Sequence, residues 1–303
     1  PAGLSLTPED LLPDLERRKG GTQKGATPRQ EEDYPIFKSG IFNGKTTGFP
    51  ITILFENKNT RSEDYNKQRS IPRPGHADWV AHQKFGGNED YRGGGHFSAR
   101  LTTGIVAAGA IAKKLMPAIK FNATVTEIAG ENDLEKGLQK GIDAKDSVGG
   151  IIECKVNGLP GGLGESYFDA VESVLSHILF AIPAVRGVEF GTGFAAAKMF
   201  GSQHNDAIEN MDGETRTNHA GGIVGGISNG NELVFRLAVK PTSSTPKIQN
   251  SLNWDTGTTE DFSIKGRHDL CVALRAPVIV EAVTALVIAD FMLLSQHIKR
   301  VIA

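Results

Sequence analysis

Apolar residues recur along the chain with two different spacings, and the two alternate. Short apolar, β-branched runs predict strands at 51–55, inside a strand-rich stretch 36–57, and again at 121–128, 151–156, 184–190 and 232–239. Gly40, Gly44 and Gly48 mark turns in the first of these stretches. Helical spacing fills the intervals. In 166–182 it puts Phe168, Val171, Leu175 and Leu179 on one face. Residues 98–116 are rich in small side chains, with Gly104, Ala108 and Ala112 as a smooth face for close packing, and Pro117 ends the run. Thr7-Pro8-Glu9-Asp10 is a helix start with Thr7 as N-cap, for a helix that runs to about Lys19 and stops at Gly20-Gly21, with Pro13 as an irregularity. The charged stretch 132–145 reads as an exposed helix. The most apolar stretch, 278–294, is interrupted by Glu281 and Asp290, starts behind Pro277 and reads as a buried core helix rather than a membrane span. Frequent hairpin-like turns and the lack of a fixed-period repeat predict an α+β fold with antiparallel sheets.

Composition narrows the partners. The chain has 303 residues, 39% hydrophobic and 22% charged, with a formal net charge of −2, which is ordinary for a soluble globular protein. Without a basic excess there is no electrostatic footprint for nucleic acid, so an anion site has to come from local clustering. The two cysteines, Cys154 and Cys271, make no disulfide framework and fit a reducing cytosol. The histidines lack ligand spacing, so no metal is expected. No signal-peptide pattern opens the sequence, and its start at Pro1-Ala2-Gly3 without methionine leads us to expect residues upstream.

The chemistry concentrates at 73–102, which reads RPGHADW, a polar passage, and YRGGGHFSARLT. Gly93 to Gly95 are costly to order, and a glycine loop opening a helix would offer N–H groups to an anion. Arg17, Arg18, Lys24, Arg73, Arg100 and Arg267 suit a ligand with carboxylates or phosphate. His76 can exchange a proton near neutral pH, and Asp269, beside Arg267 and His268, can serve as a base. Each has a plainer reading: a structural histidine in a Pro-Gly turn, a solvated turn at 266–269, a polar loop at 240–244. A hydrolase triad and a nucleotide-dependent kinase or transferase are disfavoured, because neither G-x-S-x-G nor G-x-x-x-x-G-K-[ST] occurs. The residues alone lead to a binder of an anionic small molecule with acid–base chemistry.

Six motifs in order, RPGHADW, YRGGG-x-x-SAR, GLGE, NHAGGIVGGISNG, KPTSS and GRHDLCV, closely resemble chorismate synthase, from Leu6 to the C-terminal helix. The resemblance implies one domain over 1–303, a β-α-β sandwich of antiparallel sheets enclosing helices, and a cytoplasmic homotetramer. It implies the 1,4-anti elimination of phosphate from 5-enolpyruvylshikimate 3-phosphate, giving chorismate in the shikimate pathway. Reduced FMN is the implied cofactor, with no net redox change and an external, NADPH-linked reductant. Carried over residue by residue, the family pattern makes His76 and Asp269 catalytic. Arg18, Lys24, Arg73, Arg100 and Arg267 fall where the family binds the substrate's anionic groups. For FMN it points to His96, Phe97, Ser98, Ala184, Gly225, Lys240, Pro241, Thr242, Ser243, Ser244 and Arg267. The alternative is a family member that binds FMN or a phosphometabolite without turnover. The family's N-terminal Gly-x-Ser-His-Gly motif, with its second catalytic histidine, does not occur; a chain truly lacking it is expected to be severely impaired. His96-Phe97 stands where many members have Arg-Ser, Pro183 stands for a frequent Asn, and 117–149 and 245–262 look short, which suggests mobile active-site loops that are not resolved.

Overall fold

Along Leu233–Val239 every second side chain, from Leu233 through Phe235 and Leu237 to Val239, is buried. That alternation fixes one face of the strand against a core. The computed structural model describes residues 1–21, 24–26, 32–57, 70–90, 92–264 and 268–302. In chain order its strands are β1 (Ala2–Ser5), β2 (Ile36–Ser39), β3 (Ile41–Phe42), β4 (Lys45–Thr47), β5 (Thr52–Leu54), β6 (Lys120–Ile128) and β7 (Gly150–Asn157). They continue with β8 (Val185–Phe190), β9 (Ile223–Val224), β10 (Ile227–Ser228), β11 (Leu233–Val239), β12 (Gln249–Asn253) and β13 (Thr258–Phe262). The main helices are α1 (Leu12–Arg18), α2 (Asp78–Phe85), α3 (Thr102–Leu115), α4 (Leu134–Ala144), α5 (Val171–Leu179) and α6 (Pro277–Leu294).

The largest sheet has the order β6-β7-β11-β8, and the ladders within it are antiparallel, as are those of the smaller sheets β1-β4-β3, β2-β5, β9-β10 and β12-β13. The expected α+β class with antiparallel sheets is the one observed. Ile152, Cys154 and Val156 of β7 line the same buried face as the β11 set. On the other face Arg236 pairs with Glu189 at 2.7 Å, directly across the β11–β8 ladder.

Helix α6 covers that core. It packs on α1, α3 and α5 and lies across β6 and β7. It is long and apolar enough to cross a membrane, but two-thirds of it is buried in the protein, as a core helix is. Its crossing with α3 is tight at Gly109, where an added Cβ would stand 2.3 Å from the Ala282 Cβ. The smooth face of α3 therefore runs through Gly109, and Gly104 is exposed with nothing near it.

Other expectations are corrected at element ends. Thr7 and Asp10 do cap each other, with the Thr7 N–H donating to Asp10 Oδ2 at 2.8 Å, but they enclose a 3₁₀ turn. The α-helix proper begins at Leu12, so Pro13 lies in its first turn, where a missing N–H costs nothing. Phe168 is not on the α5 face: it sits in a 3₁₀ turn before the helix and is 92% exposed. Helix α4 is not merely exposed, since Gly137, Leu138 and Gly141 are buried, Gly137 against Ile128 at the end of β6 and Gly141 against Val148 and Leu270. Residues 117–149 hold β6 and α4, and 245–262 hold the β12–β13 hairpin.

Candidate active site

The turn before α2 is built around one carboxylate. Asp78 Oδ2 accepts from the Arg73 backbone N–H at 3.0 Å and from Arg73 Nε at 2.7 Å, and Oδ1 accepts from Arg73 Nη2 at 2.8 Å. His76 Nδ1 lies 2.6 Å from Asp78 Oδ1 and Nε2 lies 3.2 Å from Arg73 Nη2, so the ring is held between the carboxylate and the guanidinium. Burial alone would raise the Asp78 pKa, but the Arg73 and His76 donors and their charges outweigh it and hold the carboxyl well below the usual range. Gly75, at φ +72°, gives this turn the left-handed residue it needs.

The loop after β11 closes on the same turn. Lys240 Nζ donates to the Gly75 carbonyl at 2.5 Å, and its backbone N–H donates to Ala184 O at 2.9 Å. Ala184 is held at φ +74°, a strained conformation for a residue with a Cβ. Ser244 Oγ lies 3.4 Å from Arg73 Nη1, and a Cβ on Gly75 would stand 3.5 Å from Ser243 Oγ and 3.6 Å from Lys240 Nζ. Thr242 Oγ1 donates to the Asp269 carbonyl at 3.1 Å. Pro241 is exposed beside it. One ammonium and three hydroxyls in five residues are a donor set that fits a phosphate group.

Asp269 lies on the far side of this loop. Its carboxylate accepts from Arg275 Nη1 at 3.2 and 3.4 Å, and Arg275 Nε donates to the Arg18 carbonyl at 2.9 Å. Arg18 is only 3% exposed, and its guanidinium pairs with Asp33, which is itself buried at φ +47°. Arg100 Nη2 reaches the other Asp33 oxygen at 3.5 Å. Burial pulls the Arg18 pKa below its ordinary value, Asp33 offsets part of that, and the charge of Arg275 adds to it. A cavity of about 20 Å³, roughly one water in size, is lined here by Arg18, Thr102, Pro183 and Arg275 among others.

A continuous run of contacts thus joins Arg18, Arg275, Asp269, Thr242, Ser244, Arg73, Asp78 and His76. Asp78, Asp33 and Arg275 had been given no role from sequence. Other candidates fall outside this run of contacts. Arg17 turns to Glu281 in the interior, at 2.7 Å, rather than to this site. Lys24, His96 and Phe97 are exposed, while Ser98 Oγ accepts from the Arg100 N–H at 3.3 Å and caps the 3₁₀ turn Ala99–Leu101. Gly225 occupies the β9–β10 turn, beside the start of α5 and the Leu233 end of β11, about 20 Å of strand from Lys240. The glycine run lies inside the 3₁₀ helix Arg92–Phe97 and does not open α3, which starts at Thr102. Arg267 lies outside the described residues. Among the described residues no group of three or more His, Cys, Asp or Glu is arranged to hold a metal ion.

Residues 1–293 match the family model described as chorismate synthase. A chorismate synthase of Chitinophaga pinensis is 66% identical over 302 residues, covering 99% of this chain and 91% of the relative. One of Dehalococcoides mccartyi is 41% identical over 333 residues, covering 100% of this chain and 92% of the relative. One of Methanobrevibacter smithii is 43% identical, covering 98% and 90%. The crystal structure of a chorismate synthase superposes with a TM-score of 0.73 at 25% identity, covering 97% of this chain and 86% of its own.

Proposed function

The chain belongs to the chorismate synthase family, a lyase of the shikimate pathway, and from that premise we propose which residues carry the reaction and how. The observation behind the reading is the convergence of the His76–Asp78 turn, the Lys240–Ser244 loop and Asp269 on one region of the surface. The substrate, 5-enolpyruvylshikimate 3-phosphate, carries two carboxylates and a phosphate. Arg73, Arg100, Lys24 and Arg267 are proposed to hold these groups, with Arg18 and Asp33 behind Arg100.

In the elimination the C6–H bond breaks and its proton goes to a base, while the C3–O bond breaks and its electron pair leaves with phosphate. Asp269 is proposed as that base, aimed by Arg275. His76, fixed between Asp78 and Arg73, is proposed to face and stabilise negative charge in the site. Reduced FMN, when bound, supplies electron density to the substrate without net redox change. Lys240, Thr242, Ser243 and Ser244 are the residues proposed to hold its phosphate, with Pro241, Ala184, Ser98, His96 and Phe97 around its ring. Gly225 would join them only from a neighbouring subunit, which suits the homotetramer we propose. We further propose a cytoplasmic enzyme whose flavin is reduced by an external, NADPH-linked donor.

Anaerobic turnover of 5-enolpyruvylshikimate 3-phosphate by the full-length protein with reduced FMN, followed by chorismate absorbance, tests the reading. Turnover is expected, with His76→Ala lower by about 10²- to 10⁴-fold and still folded. Binding of both ligands without any product would leave a non-catalytic family member instead.

A further inference from the structure

Glu281 is a buried carboxylate on an otherwise apolar helix, and the site described above does not use it. It is fully engaged. Oε1 accepts from Arg17 Nη2 at 2.7 Å and from the Ala123 N–H at 3.1 Å; Oε2 accepts from Arg17 Nη1 and from Lys113 Nζ, both at 2.7 Å. Lys113 Nζ also bonds Asp14 Oδ2 at 2.7 Å, and Arg17 Nη1 lies 3.3 Å from Asp14 Oδ1. Two cations and two carboxylates from α1, α3 and α6 thus form a neutral knot, which also satisfies an N–H on the open edge of β6. Burial pushes the Glu281 pKa up, but Arg17 and Lys113 more than reverse it and hold the carboxyl below its ordinary value.

Such a knot is a weak source of stability, because desolvation consumes much of the Coulomb gain; its better-attested use is to fix register. Register matters here. Helix α1 has seven residues and ends in two adjacent arginines, which differ by about 100° around the axis. Each meets its own buried carboxylate, Glu281 for Arg17 and Asp33 for Arg18. Were the helix rotated by one residue, one arginine would take the other's direction and the other would be turned away from both carboxylates. The bidentate fork on Arg17 excludes that rotation, and it delivers the Arg18 side chain to Asp33 and the Arg18 carbonyl to Arg275.

We propose that Glu281, acting through Arg17, is a positioning residue for the substrate's anion site: it fixes the rotation of α1, and with it Arg18, Asp33 and Arg100. This rests on the reading of the anion site given above. The Arg17→Gln/Glu281→Gln double variant tests it, since it removes one charge of each sign and leaves Lys113 paired with Asp14. For 5-enolpyruvylshikimate 3-phosphate, KM and the Kd from calorimetry are expected to rise about tenfold, with kcat within about threefold of wild type. Arg17→Lys, which keeps the charge and loses the fork, is expected to fall between. Arg18→Ala, measured alongside, is expected to raise KM as well. If Arg18→Ala raises KM and the folded double variant does not, Glu281 is a packing residue and the inference fails while the site reading stands. If Arg18→Ala leaves KM unchanged, the anion-site reading falls and takes the inference with it. Should the double variant not fold, Arg17→Gln decides, because Arg17 is half exposed: an unchanged KM there overturns the proposal.

Discussion

Asp78 collects donors from the Arg73 main chain, the Arg73 guanidinium and the His76 ring, so its charge state governs a whole turn. Its folded pKa lies below its unfolded value, and the sign of the linkage follows. The stabilisation is present above the unfolded pKa of about 3.9 and is lost as pH falls through the folded value, in strong acid. Asp78→Asn is therefore expected to be less stable than wild type at neutral pH, with a gap that narrows below about pH 4. Urea midpoints of the two proteins across pH measure it, and a gap of constant size would refute the assignment. Arg73, His76 and Asp269 were legible in the sequence because they sit in motifs. Asp33 and Arg275 were not, since a lone acid and a lone arginine gain meaning only from partners distant in the chain: Arg275 bonds a carbonyl 257 positions away.

At the scale of elements, periodicity located the strands of the largest sheet and α3 to α6, missed α2 and the β12–β13 hairpin, and failed where two local patterns abut. Phe168 has the right spacing for the α5 face, yet the chain turns in a 3₁₀ step before Val171, and spacing cannot see that break. Small residues on α3 announced a close crossing without saying which of them makes it. Two glycines separate the possibilities. Gly109→Ala would drive a Cβ into Ala282 and is expected to cost about 1–3 kcal/mol by overpacking. Gly104→Ala, exposed and with open space around it, is expected to stabilise by roughly 0.5–1 kcal/mol, because alanine loses less backbone entropy in a helix. Thermal unfolding of the two variants reads this directly. Equal effects would mean that α3 does not meet α6 at Gly109.

For the whole molecule, α6 is the element that α1, α3, α5, β6 and β7 share, and we propose that the chain unfolds as one domain around it. The sequence foresaw the buried helix but not that the acid interrupting it would tie three helices together, because a charge in an apolar run has no visible partner. The two cysteines offer a test from two separate points of this core. Cys154 lies in β7, and Cys271 lies just before the turn into α6 with its thiol toward Gly149 O; neither is exposed. Burial pushes both thiols up, and the thiolate is the reactive form, so the native protein is expected to resist alkylation at both positions. Labelling then requires opening, and a single cooperative unit opens both sites in the same event. Labelling followed by peptide mass spectrometry across a urea series is therefore expected to give Cys154 and Cys271 the same rate and the same urea dependence. If Cys271 were alkylated faster and with little response to urea, the segment carrying Asp269 and Arg275 would be opening by itself, and the candidate site would belong to a separate, weaker unit of the fold.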